Sequence, residues 1–354
     1  MSVPEVNRRD ASPLRVLHVL CDLSPGGAER LVLELARRAS SDVRASVATV
    51  LGGGGLEAAF RAANVPLQLG DRRRGRPSAA GFAALRALAR DHDVVHTHLY
   101  AGDVWGRLAA LDHPCVISTD HNTDRDESWQ RVARACTNPI ARVVVAVSDA
   151  VARRVRGARS VVVIPNGVDL GRFDTPHVGG DGRRALAVGR RAPQKGFDLL
   201  LRALPPDMTL DVAGEGPYAP AHPRVRWLGR REDIPALLAA ADMLVVPSRW
   251  EGFGLAAAEG LAAGVPVVAF AVDGLVEVVA DAGILVPPGD TDALRAAMAR
   301  LRDDPALRAE LGARGRARAR ARFDLGRMRD AYEALWRGEH AAAVTNASRA
   351  RRRT

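Results

Sequence analysis

Short runs of β-branched residues alternate along the whole sequence with longer amphipathic segments rich in Ala, Leu and Arg. This alternation is typical of βαβ units, in which helices cover a parallel sheet. We predict strands at 15–21, 45–51, 94–98, 115–119, 143–147 and 160–164 in the first half, and at 184–188, 209–213, 225–228, 243–247, 267–269 and 284–286 in the second. Helices are predicted between them, for instance at 28–39, 79–89 and 104–111. The sequence therefore predicts an α/β fold with two doubly wound sheets.

Both halves open with a strand, a Gly-containing loop and a helix, at 17–37 and again at 185–204. Two Rossmann-like domains would place the carboxyl ends of their strands around a common cleft, where open α/β sheets bind ligands. The expected segments are a disordered N-terminus at 1–13, domains at 14–168 and 183–322, a Gly- and Asp-containing linker at 169–182, a helix at 323–337 and a disordered basic tail at 338–354.

The composition indicates a protein with large buried cores, since 47% of the 354 residues are hydrophobic. Its three cysteines are odd in number and far apart, which argues against the disulfide framework of a secreted protein. The first 13 residues are polar and do not resemble a signal peptide, and acidic residues interrupt the longest apolar stretch, 253–280. We therefore expect a cytoplasmic protein.

The charge balance points to anionic ligands. The 51 Lys and Arg residues against 41 Asp and Glu give a net charge of +10, which attracts nucleic acid, anionic membranes or phosphorylated molecules. Aromatic residues make up only 4% of the chain and no zinc-finger spacing occurs, so no nucleic-acid partner is expected. Lys195 is the only lysine. Because a compact ammonium differs chemically from a guanidinium, we take Lys195 as a site candidate.

A basic loop, 189–196, contains Gly189, Arg190 and Lys195 between a predicted strand and a predicted helix. Cations beside the free N–H groups of a helix N-terminus suit a diphosphate. The spacing is not that of a Walker A loop. A solvated basic turn is the alternative.

A second motif, at 249–259, follows the predicted strand 243–247 and places Glu251 and Glu259 eight positions apart. Glu251 lies in a loop and Glu259 is expected in the first helical turn. The neighbouring Gly252 and Gly254 leave backbone N–H groups open to a ligand, and carboxylates accept hydrogen bonds from sugar hydroxyls. The alternative, a capping glutamate and a surface glutamate, does not explain the glycines.

With these residues the chain resembles the retaining glycosyltransferases of GT-B fold that carry a Glu-x7-Glu motif, the family 4 or group 1 type. The resemblance covers about 14–337 and depends on the order of SPGGAERLVLELA (24–36), DVVHTH (93–98), STDHN (118–122), VVVIPNGVDLGRF (161–173), VGRRAPQKGFDLLLRA (188–203), VPSRWEGFGLAAAEGLAAGVPVVA (246–269) and GILVPPGD (283–290). It implies that the first domain binds the acceptor, that the second binds a nucleotide-sugar, and that the helix at 323–337 crosses back to the first domain.

The resemblance also implies roles for individual residues. Arg190 and Lys195 would hold the donor diphosphate in place of a metal, and Glu259 would accept hydrogen bonds from the ribose. Glu251 would contact the transferred sugar, with His121 nearby. Arg190, Lys195, Glu251 and His121 would thus be the catalytic residues. The remaining donor-binding positions would be Gly26, Gly27, Gly189, Gly252, Phe253, Gly254 and Leu255.

The implied reaction moves a hexose from a UDP- or GDP-sugar to a sugar, lipid-linked or small-metabolite acceptor with retention of configuration. Since both glutamates would bind the donor, we expect front-face attack assisted by the departing diphosphate, without a cofactor. We also expect no metal site. The rings of His96 and His98 are predicted to face opposite sides of a strand, and the Asp-x-Asp strings at 91–93 and 124–126 are taken as chance matches.

Two alternatives stay open at this point: a GT-B-fold sugar-nucleotide epimerase, and a non-catalytic module that binds nucleotide-sugars and regulates a partner. The acceptor is unknown. A basic loop at 72–76 in the first domain would suit peripheral contact with an anionic membrane at the inner face, or would simply be solvated.

Overall fold

The computed structural model describes residues 12–73, 76–121, 128–175, 177–178 and 180–351. The first half contains β1 (Leu14–Leu20), α1 (Gly27–Arg37), β2 (Val43–Thr49), α2 (Glu57–Ala62), β3 (Leu67–Gln68), β4 (Arg72–Arg73), β5 (Arg76–Pro77), α3 (Ala79–Arg90), β6 (Val94–His98), α4 (Tyr100–Ala109), β7 (Val116–Asp120), α5 (Ser128–Thr137), β8 (Val143–Ala146), α6 (Asp149–Ala152) and β9 (Val161–Val163). Seven strands form a parallel sheet in the order β3-β2-β1-β6-β7-β8-β9, and β4 pairs with β5 as a small antiparallel hairpin.

The second half contains β10 (Arg184–Val188), α7 (Phe197–Ala203), β11 (Thr209–Ala213), β12 (Val225–Gly229), α8 (Ile234–Ala240), β13 (Met243–Val246), α9 (Leu255–Ala263), β14 (Val267–Phe270), α10 (Asp273–Val279), β15 (Ile284–Val286), α11 (Thr291–Asp303), α12 (Pro305–Arg322) and α13 (Leu325–Arg351). Its six strands form a second parallel sheet in the order β12-β11-β10-β13-β14-β15. The predicted α/β fold with two doubly wound sheets is confirmed.

Four inner strands, β6, β8, β13 and β14, are buried along their whole length because helices cover both faces of each sheet. β8 (VVVA), β13 (MLVV) and β14 (VVAF) each expose none of their residues to solvent. All twelve predicted strands are present, with ends within two residues of the predicted ones. The short β3, β4 and β5 were not predicted, since two residues are too few to show a period.

The last helix, α13, leaves the second domain and packs on the sheet of the first. Leu325 N donates to Val168 O at 3.1 Å where the chain crosses. Met328, Tyr332 and Trp336 are then buried among strand residues of the first domain. The chain therefore passes between the two domains twice.

The predicted end of this helix at Arg337 is wrong, and so is the disordered tail as far as Arg351, because α13 continues to that residue. The stretch after Gly338 is rich in Ala, the residue with the highest helix propensity. It is also anchored: Arg142 donates to Glu339 at 2.7 Å, and Ala343 is buried. Residues 352–354 and 1–11 lie outside the described residues.

Contacts across the cleft begin at the N-terminus of α6. The backbone N–H groups of Asp149 and Ala150 lie 2.8 and 2.7 Å from the carboxylate of Glu277 in α10. Ser148, which caps α6, donates to Gly252 O at 2.6 Å. The two domains are therefore in direct contact beside the predicted site. None of the helices in the described part of the chain has the length and hydropathy of a membrane span.

Candidate functional site

The loop after β10 brings Lys195 to the end of the neighbouring strand β13. Lys195 ends a single 3-10 turn, Pro193–Lys195, and Gly196 follows with a φ of 65°. A Cβ at position 196 would collide with the carbonyl of Pro247, just after β13. Glycine thus allows both the left-handed backbone and the close approach of the two loops.

Lys195 and Glu251 form an ion pair. The Lys195 ammonium donates to Glu251 Oε1, and Ser248 Oγ donates to the same oxygen at 2.9 Å. Glu251 is only 7% exposed. A buried carboxylate requires such partners, and an anionic ligand would compete with it for the ammonium. The structure therefore joins two side chains that the resemblance assigns to different parts of the donor.

The segment after Glu251 leads directly into α9. Gly254 caps this helix with a φ of 96°, and Leu255 is its first residue. Gly252 and Phe253 precede the cap, where Gly252 O is held by Ser148 and Gly274 lies against the backbone. The free N–H groups of a helix start attract anions.

Glu259 is the fifth residue of α9, one position beyond the first turn in which it was expected. Burial raises the pKa of its carboxyl to about 7, while the charges of Arg172 and Arg30 act in the opposite direction. Arg30 belongs to α1 of the other domain. Glu259 therefore lies where both domains contribute charge.

The N-terminus of α1 lies opposite the N-terminus of α9. Gly26 caps α1 and Gly27 is its first residue. A Cβ on Gly27 would lie 2.7 Å from Leu255 Cδ1, so glycine allows the two helix starts to meet. The structure thus brings together glycines predicted from separate domains.

Glu29 is not among the predicted site residues, although it lies in the same cleft. Its carboxylate folds back over Gly26, and burial raises its pKa to about 7. Asp22 raises this pKa further, whereas the Glu29 backbone N–H and Arg190 lower it. A glutamate three positions after a helix cap is one half of a capping box; the other half, a Ser or Thr at the cap, is missing because Gly26 is the cap. The charge of Arg190, which follows Gly189, therefore acts on the carboxyl of Glu29.

His121 follows β7 and joins a group of buried histidines. His121 Nε2 lies 3.3 Å from His98 Nδ1, and the ring centroids of His96 and His98 are 4.1 Å apart. The prediction that His96 and His98 face opposite sides is wrong, because residues two apart on a strand share a face. His18 lies beside them in β1.

Nitrogen atoms of His18, His96 and His98 lie within 4.8 Å of one another, a spacing that a metal ion could bridge. His96 uses both nitrogens already, on Trp336 at 3.3 Å and on Thr119 at 2.8 Å. Three-histidine ligation would break one of these bonds. The group therefore fits a hydrogen-bonded cluster better than a metal site.

Neither Asp-x-Asp string belongs to a group of three possible metal ligands among the described residues. Asp93 is paired with Arg15, whose Nη2 lies 3.0 Å from Asp93 Oδ1. The second string, 124–126, lies outside the described residues. The absence of a catalytic metal stays a prediction.

Two family models match the sequence. Residues 25–172 match Glycosyltransferase Family 4, and residues 182–304 match Glycosyl transferases group 1. The MMP alpha-(1->4)-mannosyltransferase of Mycolicibacterium hassiacum is 30% identical over 290 residues, which are 69% of this chain and 70% of that protein. The D-inositol 3-phosphate glycosyltransferase of Kineococcus radiotolerans is 31% identical over 327 residues, 72% of this chain and 73% of that protein.

A solved structure of Anabaena Alr3699/HepE in complex with UDP-glucose is similar in fold. Its TM-score is 0.82 at 23% identity, with 91% of this chain and 99% of that chain covered. The family matches extend over both domains, and the fold agrees along nearly the whole chain. The protein therefore belongs to the family 4, group 1 glycosyltransferases and has their GT-B fold.

Proposed function

We propose that this protein transfers a hexose from a UDP- or GDP-sugar to an acceptor hydroxyl held by the first domain. The observation that carries the proposal is the Lys195–Glu251 pair at the start of α9, opposite the start of α1. Both relatives are named as glycosyltransferases, one of them a mannosyltransferase, and the HepE structure contains UDP-glucose. These names support a nucleotide-sugar donor.

In this proposal the diphosphate lies between the two helix starts. Lys195 leaves Glu251 and binds the diphosphate together with Arg190, so that positive charge faces the leaving group as negative charge develops on it. Glu251, once released, accepts hydrogen bonds from the transferred sugar, and Glu259 accepts from the ribose. No metal is needed for this neutralisation.

Transfer with retention follows from attack on the same face that the diphosphate leaves. The bond from the anomeric carbon to the phosphate oxygen breaks, a bond to the acceptor oxygen forms, and the acceptor proton passes to the departing phosphate. An inverted product anomer, or a trapped covalent glycosyl-enzyme, would refute this route.

The first test is nucleotide binding measured by thermal unfolding with UDP, GDP, ADP, UDP-glucose and GDP-mannose. A ligand at a hundredfold over its Kd adds about 2.7 kcal/mol to the stability of the folded state. We expect one nucleotide base to stabilise the wild type and Lys195→Ala to lose the effect. Arg202→Ala is the matched control: it removes a surface cation of α7 that lies 3.4 Å from Asp198, and it should keep the stabilisation by the nucleotide.

Lys195→Ala leaves Glu251 buried without its cation, so the variant can also lose stability directly. Lys195→Ala combined with Glu251→Gln removes this penalty and should still fail to bind. If no nucleotide shifts the wild type, the donor assignment is wrong. Release of nucleoside diphosphate by the wild type, and not by Lys195→Ala, would indicate a transferase and not a non-catalytic module. Formation of an epimerised sugar nucleotide would indicate a sugar-nucleotide epimerase.

Membrane contact is proposed for the basic segment 72–76, of which 74 and 75 lie outside the described residues. β4 and β5 form its antiparallel base. Each cation near an anionic surface contributes about 1 kcal/mol. Changing Arg72, Arg73, Arg74 and Arg76 to Gln should abolish sedimentation with anionic vesicles. Unchanged sedimentation would remove the membrane proposal.

A further inference from the structure

Three histidine rings form a hydrogen-bonded row from the interior of the first sheet to its cleft edge. His18 Nδ1 lies 3.0 Å from His98 Nε2, and His98 Nδ1 lies 3.3 Å from His121 Nε2. The rings come from β1, from the end of β6 and from the position after β7. At the two ends of the row, His18 Nε2 and His121 Nδ1 are buried atoms without a hydrogen-bond partner among the described residues.

A fourth ring, His96, lies beside the row and its protonation is determined separately. The indole N–H of Trp336 can only donate, so His96 Nδ1 accepts at 3.3 Å and carries no proton. His96 Nε2 therefore carries the proton and donates to Thr119 Oγ1 at 2.8 Å. His96 is thus a buried histidine that takes no part in the row.

Neutral imidazole rings in a row must all carry their protons on the same nitrogen. In one arrangement the protons are on Nδ1, so His18 donates to His98 and His98 donates to His121. In the other they are on Nε2 and every bond reverses. Each arrangement leaves one N–H without an acceptor, at the His121 end in the first and at the His18 end in the second.

Burial distinguishes these two arrangements. His18 is fully buried inside the sheet, whereas the His121 ring as a whole is half-buried at the cleft edge, although its Nδ1 atom is covered. An N–H group without an acceptor is rare in protein interiors. The Nδ1 arrangement is therefore favoured, since it leaves the unpaired N–H on the half-buried ring at the cleft edge and not on the fully buried ring of His18.

We propose that His18 and His98 are positioning residues that fix His121 as a neutral ring with its proton on Nδ1, ready to donate to an oxygen of the transferred sugar. The ligand part of this inference rests on the proposed function, and the tautomer part does not. It follows that His121 acts as a hydrogen-bond donor and not as a base.

The surroundings keep the row uncharged. Burial lowers the pKa of His18 to about 3 and that of His121 to about 4. Asp120 beside His121 raises its pKa and Arg134 lowers it, so their charges oppose each other. A neutral ring donates through one nitrogen only, which makes the choice of tautomer matter.

The tautomers are measured directly by long-range proton–nitrogen NMR of the ¹⁵N-histidine-labelled, ligand-free protein near pH 7.5. We expect the proton on Nδ1 in His18, His98 and His121, and on Nε2 in His96. A His121 proton on Nε2, or a charged His121 ring, would overturn the proposal. This NMR measurement needs no substrate, so its result holds even if the donor assignment is wrong.

The effect on binding is tested with His98→Phe, which keeps an aromatic ring and removes both nitrogens. We expect that His121 in this variant is no longer held in a single tautomer. The affinity for the sugar nucleotide should fall three- to tenfold, which corresponds to the loss of about one hydrogen bond, while the affinity for the nucleoside diphosphate stays unchanged. His96→Phe in the same strand is the matched control and should leave the His121 signals unchanged.

His98→Gln covers the case in which His98→Phe does not fold. Its side-chain amide can still donate to His121 Nε2, so it should keep the His121 proton on Nδ1 and restore sugar-nucleotide affinity. Equal weakening of both ligands by His98→Phe would mean a merely structural role and would overturn the positioning role.

Discussion

Glu259 combines a partly buried carboxyl with the position expected of a ribose ligand. Its pKa is raised to about 7, so the carboxyl changes charge near physiological pH. An ionised carboxylate accepts hydrogen bonds more strongly than a protonated one. Donor affinity should therefore rise with pH if Glu259 binds the ribose.

We predict that the affinity for UDP-glucose or GDP-mannose increases between pH 6 and pH 8, measured by calorimetry. Sugar nucleotides are suitable because their diphosphate is doubly esterified and has no ionisation in this range. Glu259→Gln should hold the affinity near its low-pH value throughout. A wild-type affinity that is independent of pH would contradict the assignment.

Glu29 supplies the comparison, since its pKa is also raised to about 7 and the charge of Arg190 acts on it. Its ionisation places negative charge next to the proposed diphosphate, which opposes binding as the pH rises. Glu29→Gln should therefore steepen the pH dependence, the opposite of Glu259→Gln. A flat profile in Glu29→Gln would assign the titration to Glu29 instead.

At the scale of elements, the contact between α1 and α9 depends on a missing side chain. A Cβ on Gly27 would lie 2.7 Å from Leu255 Cδ1. We predict that Gly27→Ala displaces the Leu255 side chain or moves the two helix starts apart, and lowers kcat about tenfold, measured by nucleoside diphosphate release. The thermal midpoint should change little, because Gly27 is exposed and outside the cores.

The double variant Gly27→Ala/Leu255→Ala is the control for this steric argument. Removing the Leu255 methyl groups creates room for the new Cβ, so part of the activity should return. Additive losses in the two single variants would show that the distance between the helices is not the cause.

A second prediction at this scale concerns the end of α13. A chain that stops after Arg337 loses the buried Ala343 and the Arg142–Glu339 ion pair, so we expect a stability loss of about 1–3 kcal/mol by urea unfolding. A chain that stops after Asn346 keeps both contacts and is the matched control. Equal stability of the two truncations would restore the disordered tail predicted from the sequence.

Prediction from the sequence succeeded where a local pattern is strong. The strands of both sheets repeat Val and Ile over several residues, and the spacing of Glu251 and Glu259 is visible without coordinates. The last turns of α13 were missed because a basic, Ala-rich segment is equally compatible with a tail until its partners are known. Cross-domain contacts such as Gly27 with Leu255 depend on tertiary packing, which no local pattern contains.

At the scale of the whole molecule, the histidines of the row make the stability of the folded state depend on pH. The folded-state pKa values of His18 and His121 are lowered to about 3 and 4, below the unfolded value of about 6.5. Their contribution to stability is therefore complete above pH 6.5 and is lost as the pH falls. Glu29 and Glu259, with raised pKa values, contribute in the opposite direction, and their stabilisation is lost as the pH rises toward 7.

We predict that His18→Gln reduces the slope of unfolding free energy against pH, between pH 6 and 4.5, by about 1.4 kcal/mol per pH unit. Urea unfolding at several pH values measures this slope. His222→Gln, in the loop before β12 and outside the cluster, is the control and should keep the wild-type slope. An unchanged slope in His18→Gln would mean that its ring is already protonated in the folded state.

The return of α13 to the first domain has a consequence for engineering. Recombining acceptor and donor specificities between related enzymes is usually pictured as one exchange at the linker. Here such a junction would separate Tyr332 and Trp336 from the strands that they cover. A functional hybrid therefore needs two junctions, one near 169–182 and one near Asp324, with the final helix inherited from the same parent as the N-terminal half.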